Sequence, residues 1–234
     1  PSLQSTVSNS SLGIRLGLAY ARCLPPRLAA PLAARLSGFI AAHRTWRIVR
    51  GARLNQWMAR GQPASARQLR RAVRATFRAQ ASALYDVFRY LNFPQELDDQ
   101  LILSPAFHEV IRYTQNPVPG QGFVVAGIHL SNFDLGLHII TRSGMHALVI
   151  TLTELPGGYQ AQYDLRRNAG VELVTASVAS FRQAIQRLKA GGIVATGIDR
   201  PIPGGKHHPS FFGHPAPLPT HYITLALKAQ VPIA

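Results

Sequence analysis

The chain has 234 residues, of which 47% are hydrophobic and 15% are charged, and its 19 Gly and 17 Pro are spread along the sequence. This composition excludes a wholly disordered chain and a collagen-like one, and the length suits one large domain or two small ones. A formal net charge of +15 indicates a polyanionic partner, either nucleic acid or an anionic membrane surface, and the single cysteine, Cys23, excludes an internal disulfide.

The first 90 residues carry most of the net charge, with 15 arginines and one acidic residue, Asp86. Two helical stretches are predicted here, Leu12–Leu24 and about 27–43, separated by the helix-breaking pair Pro25-Pro26. No apolar run reaches a bilayer-spanning length without charge. Arginine among Leu, Ile and Ala is typical of helices that lie in the lipid headgroup region, and the alternative is a helical cap on a soluble domain.

A longer helix is predicted over 64–91, where Ser65 can cap the start and Pro94 follows the end. Its apolar residues recur at spacings of three, four or seven, which predicts one buried stripe: Leu69, Val73, Phe77, Leu84, Phe88 and Leu91. We therefore predict amphipathic membrane-associated helices over 1–62 and a separate α/β domain over 63–234.

From Gln121 onward, short runs rich in Val and Ile alternate with helical segments, of which Ser177–Ala190 is the clearest. The predicted strands are 123–128, 146–152, 171–175, 193–198 and 231–234. This alternation predicts an α/β fold with a mostly parallel central sheet flanked by helices. In such sheets the working groups gather at the carboxyl ends of the strands.

The usual phosphate-loop, serine-hydrolase and zinc-protease motifs are absent from the sequence. Four histidines fall within fifteen residues, but their spacing matches no metal-ligand pattern: His207, His208, His214 and His221. We therefore predict no metal site.

The strongest candidate for chemistry is His129, which directly follows the apolar run FVVAGI and precedes Asp134 by five positions. Ser131 or Asn132 can cap a following helix, so that Asp134 would lie in its first turn. This turn could bring the carboxylate to one imidazole nitrogen and leave the other to take a proton from a substrate hydroxyl. The alternative is a histidine at a strand end with no catalytic role.

Four motifs in this order resemble the bacterial lipid A biosynthesis acyltransferase family: GIHLSNFDLG, DLRRNAG, LKAGGIVATGIDRPIPGG and FFGHPAPLP. That family includes the mycobacterial phosphatidylinositol mannoside acyltransferases and is related to the glycerolipid acyltransferases with an H-x4-D motif. Many lipid A members have glutamate where this chain has Asp134, whereas the mannoside and glycerolipid enzymes share the aspartate. The resemblance also implies a further C-terminal portion beyond Ala234.

The resemblance implies a role for each matching residue. His129 would be the general base and Asp134 its orienting acid. Arg166 would support the site, with Arg167 as the alternative, and Asp199 is the acid at the end of a later strand. Arg166 and Asp199 are also predicted to contact substrate, together with Ser131, Asn132 and the loop formed by Phe211, Phe212 and Gly213.

The function implied is a membrane-associated O-acyltransferase that moves a fatty acyl group from acyl carrier protein or coenzyme A to a hydroxyl of a glycolipid or phospholipid. The acyl thioester is a co-substrate, and no cofactor or nucleic-acid partner is expected. The implied location is the cytoplasmic face of the bacterial inner membrane. Two alternatives remain, an arginine-rich nucleic-acid-binding protein and a lipid-binding scaffold without turnover.

Overall fold

The structure, a computed structural model, describes residues 11–60, 64–130, 132–151, 157–168, 170–200 and 207–234. The chain divides into two compact units. The helical unit comprises Arg15–Asp99 and Ser210–His214, and the sheet unit comprises Gln100–Pro209, Pro215–Ala234 and the segment before Arg15.

Up to residue 100, the described part of the chain forms five helices: α1 (Ser11–Cys23), α2 (Pro26–Ala42), α3 (Arg47–Ala59), α4 (Ala66–Asn92) and α5 (Pro94–Gln100). The start of α4 is fixed by a capping box, because the Ser65 Oγ accepts from the Gln68 N–H and the Gln68 Oε1 accepts from the Ser65 N–H. The long predicted helix is thereby confirmed to within two residues at each end.

The helical unit packs through small side chains. Helix α2 lies on α4 and buries Ala29, Ala33 and Ser37, which share one face because they are four residues apart. Helix α1 approaches α4 so closely that a Cβ on Gly17 would clash with the Phe88 ring. This close packing leaves the larger apolar residues of α2 to project elsewhere, and many of them are exposed.

The remaining described elements belong mainly to the sheet unit: α6 (Pro105–Gln115), β1 (Phe123–Gly127), α7 (Phe133–Arg142), β2 (Ala147–Thr151), α8 (Gly157–Asn168), β3 (Glu172–Thr175), α9 (Val178–Lys189), β4 (Ile193–Gly197), β5 (Ser210–Phe211), β6 (His214–Pro215) and α10 (His221–Ala229). Strands β5 and β6 form a small two-stranded sheet. Helix α9 has Ser177 as its N-cap and Ala190 as its C-cap, which confirms the clearest predicted helix of this half.

Four strands form one parallel sheet in the order β1-β4-β2-β3. The predicted α/β fold with a parallel sheet is confirmed. Strand β4 therefore lies beside β1 although about 70 residues separate them, and Gly127 is the direct partner of Gly197. The predicted strand over 231–234 is reduced to a single parallel bridge, between Val124 and Ile233.

Both faces of the sheet are covered, as its Val- and Ile-rich strands require. Adjacent residues of β4 point to opposite faces: Val194 packs in one cluster with Leu188 of α9 and Leu225 of α10, and Ile193 packs in another with Ile111 of α6. Both β4 residues are at most 1% exposed. The sheet is thus a rigid support for the loops at its carboxyl edge.

Candidate active site

The site begins where two neighbouring strands end. His129 and Asp199 each lie two residues beyond the paired glycines that close β1 and β4. Because these strands are parallel and adjacent, the two side chains emerge at the same edge of the sheet. The Asp199 Oδ1 lies 2.6 Å from the His129 Nδ1, and the Asp199 Oδ2 accepts the His129 backbone N–H at 2.9 Å.

The two hydrogen bonds stabilise the charged form of Asp199. Burial raises the pKa of this carboxyl, but the bonds from the His129 ring and backbone outweigh burial, so the pKa of Asp199 is lowered. Asp199 is therefore an acceptor at neutral pH. In the tautomer that matches this geometry the proton of the ring is on Nδ1, and Nε2 has no hydrogen-bond partner among the described residues.

Phe133 supports the imidazole. Its ring centroid lies 4.5 Å from that of His129, with an angle of 50° between the two planes. The guanidinium carbon of Arg166 lies 5.9 Å from the same Phe133 ring. Phe133, the first residue of α7, is thus the common neighbour of the histidine and the arginine, and sequence reasoning assigned it no role.

Asp134 belongs to a second charged pair. Its Oδ1 accepts from the Nε of Arg166 at 2.9 Å and from the Nη2 at 2.5 Å. The aspartate is in the first turn of α7 and the arginine in the last turn of α8, so the pair ties two helices together beside His129. Charge-assisted contacts of this kind are stronger than bonds between neutral groups.

A family model described as bacterial lipid A biosynthesis acyltransferase matches residues 4–234. The chain belongs to this family. No curated protein sequence matches the chain. Membership confirms the resemblance seen in the ordered motifs and places the protein among the acyltransferases.

The chain has the predicted H-x4-D spacing from His129 to Asp134, but the two side chains have different partners. We predicted that the Asp134 carboxylate would meet the His129 ring, and in the structure the ring is bonded to Asp199 and Asp134 to Arg166. The reason is that β1 and β4 are adjacent, which brings Asp199 to the ring, while a full positive charge on α8 attracts Asp134. A repeated Gly-Ile pair, before His129 and again before Asp199, is the sequence signal of this match.

The two residues predicted to cap helix α7 have different outcomes. Asn132 is the N-cap, and its Oδ1 accepts from the Leu135 N–H at 3.4 Å. Its Nδ2 is buried and has no hydrogen-bond partner among the residues that the structure describes. Ser131 lies outside the described residues. A buried donor without a partner is costly, so this amide is a candidate contact for a substrate oxygen.

The Phe211-Phe212-Gly213 loop forms the turn between β5 and β6, and residues 210–214 group with the helical unit. The two phenylalanine rings meet edge to face with centroids 4.6 Å apart, and both side chains are at least half exposed. Phe212 has a φ of 50°, a left-handed conformation that is rare for a bulky residue. The turn thus displays two large apolar side chains.

The arrangement at the sheet edge suits proton transfer to and from a hydroxyl. His129 has a carboxylate on one ring nitrogen, and its Nε2 has no hydrogen-bond partner among the described residues. The side chain is 26% exposed, so a substrate could reach it. A histidine held in this way can act as a general base, because the carboxylate stabilises the imidazolium that forms.

Proposed function

We propose that this protein is a membrane-associated O-acyltransferase in which His129 is the general base and Asp199 is the acid that orients it. The observation that carries the proposal is the hydrogen bond between His129 Nδ1 and Asp199, which leaves Nε2 without a partner among the described residues. Asp134 and Arg166 would then help to position the His129 ring, because their ion pair lies beside Phe133, which contacts that ring.

In the proposed reaction, the His129 Nε2 takes the proton of an acceptor hydroxyl while that oxygen attacks the carbonyl carbon of an acyl thioester. A new C–O bond forms and the carbonyl oxygen becomes an oxyanion, for which Arg166 or a backbone N–H is the proposed donor. The C–S bond then breaks, and the leaving thiolate receives the proton from the imidazolium. No acyl-enzyme forms, because the substrate supplies the nucleophile.

The proposed donor is an acyl thioester of acyl carrier protein or coenzyme A, and the acceptor is a hydroxyl of a glycolipid or phospholipid. Both assignments follow from the family rather than from a bound molecule. We propose the cytoplasmic face of the inner membrane as the location, since such thioesters are cytoplasmic metabolites.

Membrane association is supported by an apolar stripe on α2. Leu28, Leu32, Leu36 and Phe39 are spaced four, four and three residues apart, so they share one face, and each is between 44% and 58% exposed. Arg27 and Arg35, on the same helix, are exposed as well. Apolar side chains beside arginines fit a helix lying at the boundary of headgroups and acyl chains. No helix in the described ranges is long and apolar enough to cross a bilayer.

The decisive experiment incubates the protein with bacterial membrane lipids in mixed micelles, using labelled acyl carrier protein and coenzyme A thioesters, and identifies products by mass spectrometry. We expect an acylated lipid, and a loss of roughly three orders of magnitude in turnover for His129→Ala. His146→Ala, which removes an exposed histidine of the same unit, is the matched control and should retain activity.

Two results would contradict the proposal. Near-normal turnover by His129→Ala would show that His129 is not the general base. Lipid binding without any acylated product would favour the scaffold, and retention on DNA instead of anionic liposomes at moderate salt would favour the nucleic-acid alternative.

A further inference from the structure

Gly197 occupies the strand position that faces the edge of the His129 ring. It is the last residue of β4, two positions before Asp199. A Cβ built on Gly197 would lie 2.9 Å from the His129 Cε1, 3.7 Å from Nδ1 and 3.8 Å from Nε2. The first of these distances is shorter than the contacts that real Cβ atoms make. The imidazole therefore fills the space that any side chain at position 197 would need.

Three neighbours define the place of the ring. Phe133 lies against it, Asp199 holds Nδ1, and the bare Cα of Gly197 faces Cε1. The carbon Cε1 lies between the two ring nitrogens, so a steric clash at this atom would displace both nitrogens. One nitrogen would leave Asp199, and the other would leave the place where an acceptor hydroxyl must arrive.

We propose that Gly197 is a positioning residue for His129, required because only glycine leaves room for the imidazole to meet Asp199. This inference rests on the proposed function, since it concerns the same general base. The backbone of Gly197 is compatible with alanine, because its φ is not among the positive values recorded for five other glycines. An added methyl group thus acts on the ring, which must move about 0.5 Å to restore an ordinary contact.

The chain contains a matched control. Gly127 is the register partner of Gly197 on β1 and is also followed by Ile and then by a site residue. A Cβ on Gly127 would lie 3.7 Å from the Thr196 carbonyl oxygen, an ordinary van der Waals contact. Gly127→Ala therefore removes the same backbone freedom at the same level of the sheet without touching the imidazole.

The test compares acyl transfer by the wild-type protein, Gly197→Ala and Gly127→Ala. We expect kcat to fall roughly tenfold or more for Gly197→Ala, because small misplacements of reacting groups are costly, while KM stays within about twofold. Gly127→Ala should retain kcat. In an Asp199→Asn background the further effect of Gly197→Ala should shrink, because the bond that the methyl group disrupts is already lost.

A second readout does not depend on turnover. The carboxyl carbon of Asp199, followed by NMR over a pH titration, reports the bond from His129. In Gly197→Ala we expect the pKa of Asp199 to rise toward the ordinary value of an aspartate, since this bond lowers it. In Gly127→Ala it should stay where it is in the wild-type protein.

The outcomes separate the inference from the proposed function. Unchanged kcat and an unchanged Asp199 pKa in Gly197→Ala would overturn the inference, and so would equal losses in both glycine variants. Absence of acyl transfer by the wild-type protein would overturn the proposed function, while the titration would still decide the role of Gly197. If Gly197→Ala unfolds easily, its melting temperature should recover when His129→Ala is added, and a failure to recover would contradict the steric argument.

Discussion

The two units of the molecule use arginine in different ways. The first 90 residues contain 15 arginines, and all except Arg53 and Arg89 are exposed. In the sheet unit, Arg166 binds Asp134 and Arg187 binds Glu172. An exposed arginine is available to an anionic surface, whereas a paired one fixes the elements that carry it.

The contrast is sharpest on α4. Five of its arginines form one stripe, because they follow each other at spacings of three, one, three and four residues: Arg67, Arg70, Arg71, Arg74 and Arg78. None of them makes an ion pair within the described part of the chain. The comparison teaches that exposed positive charge is concentrated in the helical unit, whereas the arginine paired beside His129 belongs to the sheet unit.

Within the sheet unit, loss of the Asp199 carboxylate should lower turnover more than loss of the Asp134 carboxylate. We expect Asp199→Asn to lower turnover about 10²- to 10⁴-fold, because it removes the acceptor that orients His129, the proposed general base. Asp134→Asn should cost less, about tenfold, because it releases Arg166 and does not touch the ring. Steady-state acyl transfer by the two variants measures the difference. The reverse order would assign the orienting role to Asp134.

Truncation of a leucine should lower the free energy of unfolding much more in the buried core than in the exposed stripe of α2. Leu188 of α9 is fully buried, and Leu188→Ala should lower the free energy of unfolding by about 2–5 kcal/mol. Leu28→Ala, which truncates an exposed side chain of α2, should change it by no more than about 0.5 kcal/mol. Urea unfolding followed by circular dichroism provides both values, and similar losses would contradict the assigned burial.

Binding to vesicles should depend on the helical unit. Each of Leu32→Ser and Leu36→Ser should weaken partition to anionic liposomes roughly tenfold, since each removes about 1.5 kcal/mol of apolar burial. Leu227→Ser changes a leucine of α10 that is 73% exposed and should leave partition unchanged. Co-sedimentation with vesicles measures this. Equal losses of partition in all three variants would show that the apolar stripe of α2 does not direct membrane binding.

Acid should destabilise the sheet unit through His138, which is buried, and His221, which is half-buried. Burial lowers the pKa of His138 and of His221, the latter also lying 2.7 Å from the Thr196 Oγ1. The unfolded chain therefore takes up protons first as pH falls, so stability is full above the ordinary value of 6.5 and is lost below it.

Urea unfolding between pH 7.5 and 5 checks this dependence. We expect His138→Gln and His221→Gln each to reduce the fall in stability over this range. His146→Gln, at an exposed position, should retain the wild-type slope. A slope that none of the three substitutions changes would assign the acid sensitivity to other groups.

Local patterns in the sequence predicted the main features of the fold. Runs of Val and Ile bounded by Gly predicted the four parallel strands, and Ser65 and Ser177 marked helix starts through their capping chemistry. Helices α3, α5 and α6 were not predicted, and α5 is too short to show a clear period because it has seven residues and buries only Leu97. These signals depend only on neighbours in the chain.

The partner of His129 depends on strand order, which local patterns do not carry. Asp134 was favoured because it is five residues away, and the observed acceptor, Asp199, is 70 residues away. Only the adjacency of β1 and β4 brings that aspartate to the ring. His129 and Arg166 could be singled out from sequence, whereas the roles of Phe133 and Gly197 required the three-dimensional arrangement.

The separation between His129 and Asp199 also has a consequence for biosynthesis. A ribosome that adds roughly 5–20 residues per second incorporates Asp199 about 4–14 s after His129, because Asp199 follows 70 positions later in the chain. During that time β1 has no neighbour at the place where β4 will insert, and closing so long a segment is slow. A nascent chain therefore exposes an apolar strand edge before His129 has its carboxylate partner, and the His129–Asp199 pair forms together with the closure of the sheet.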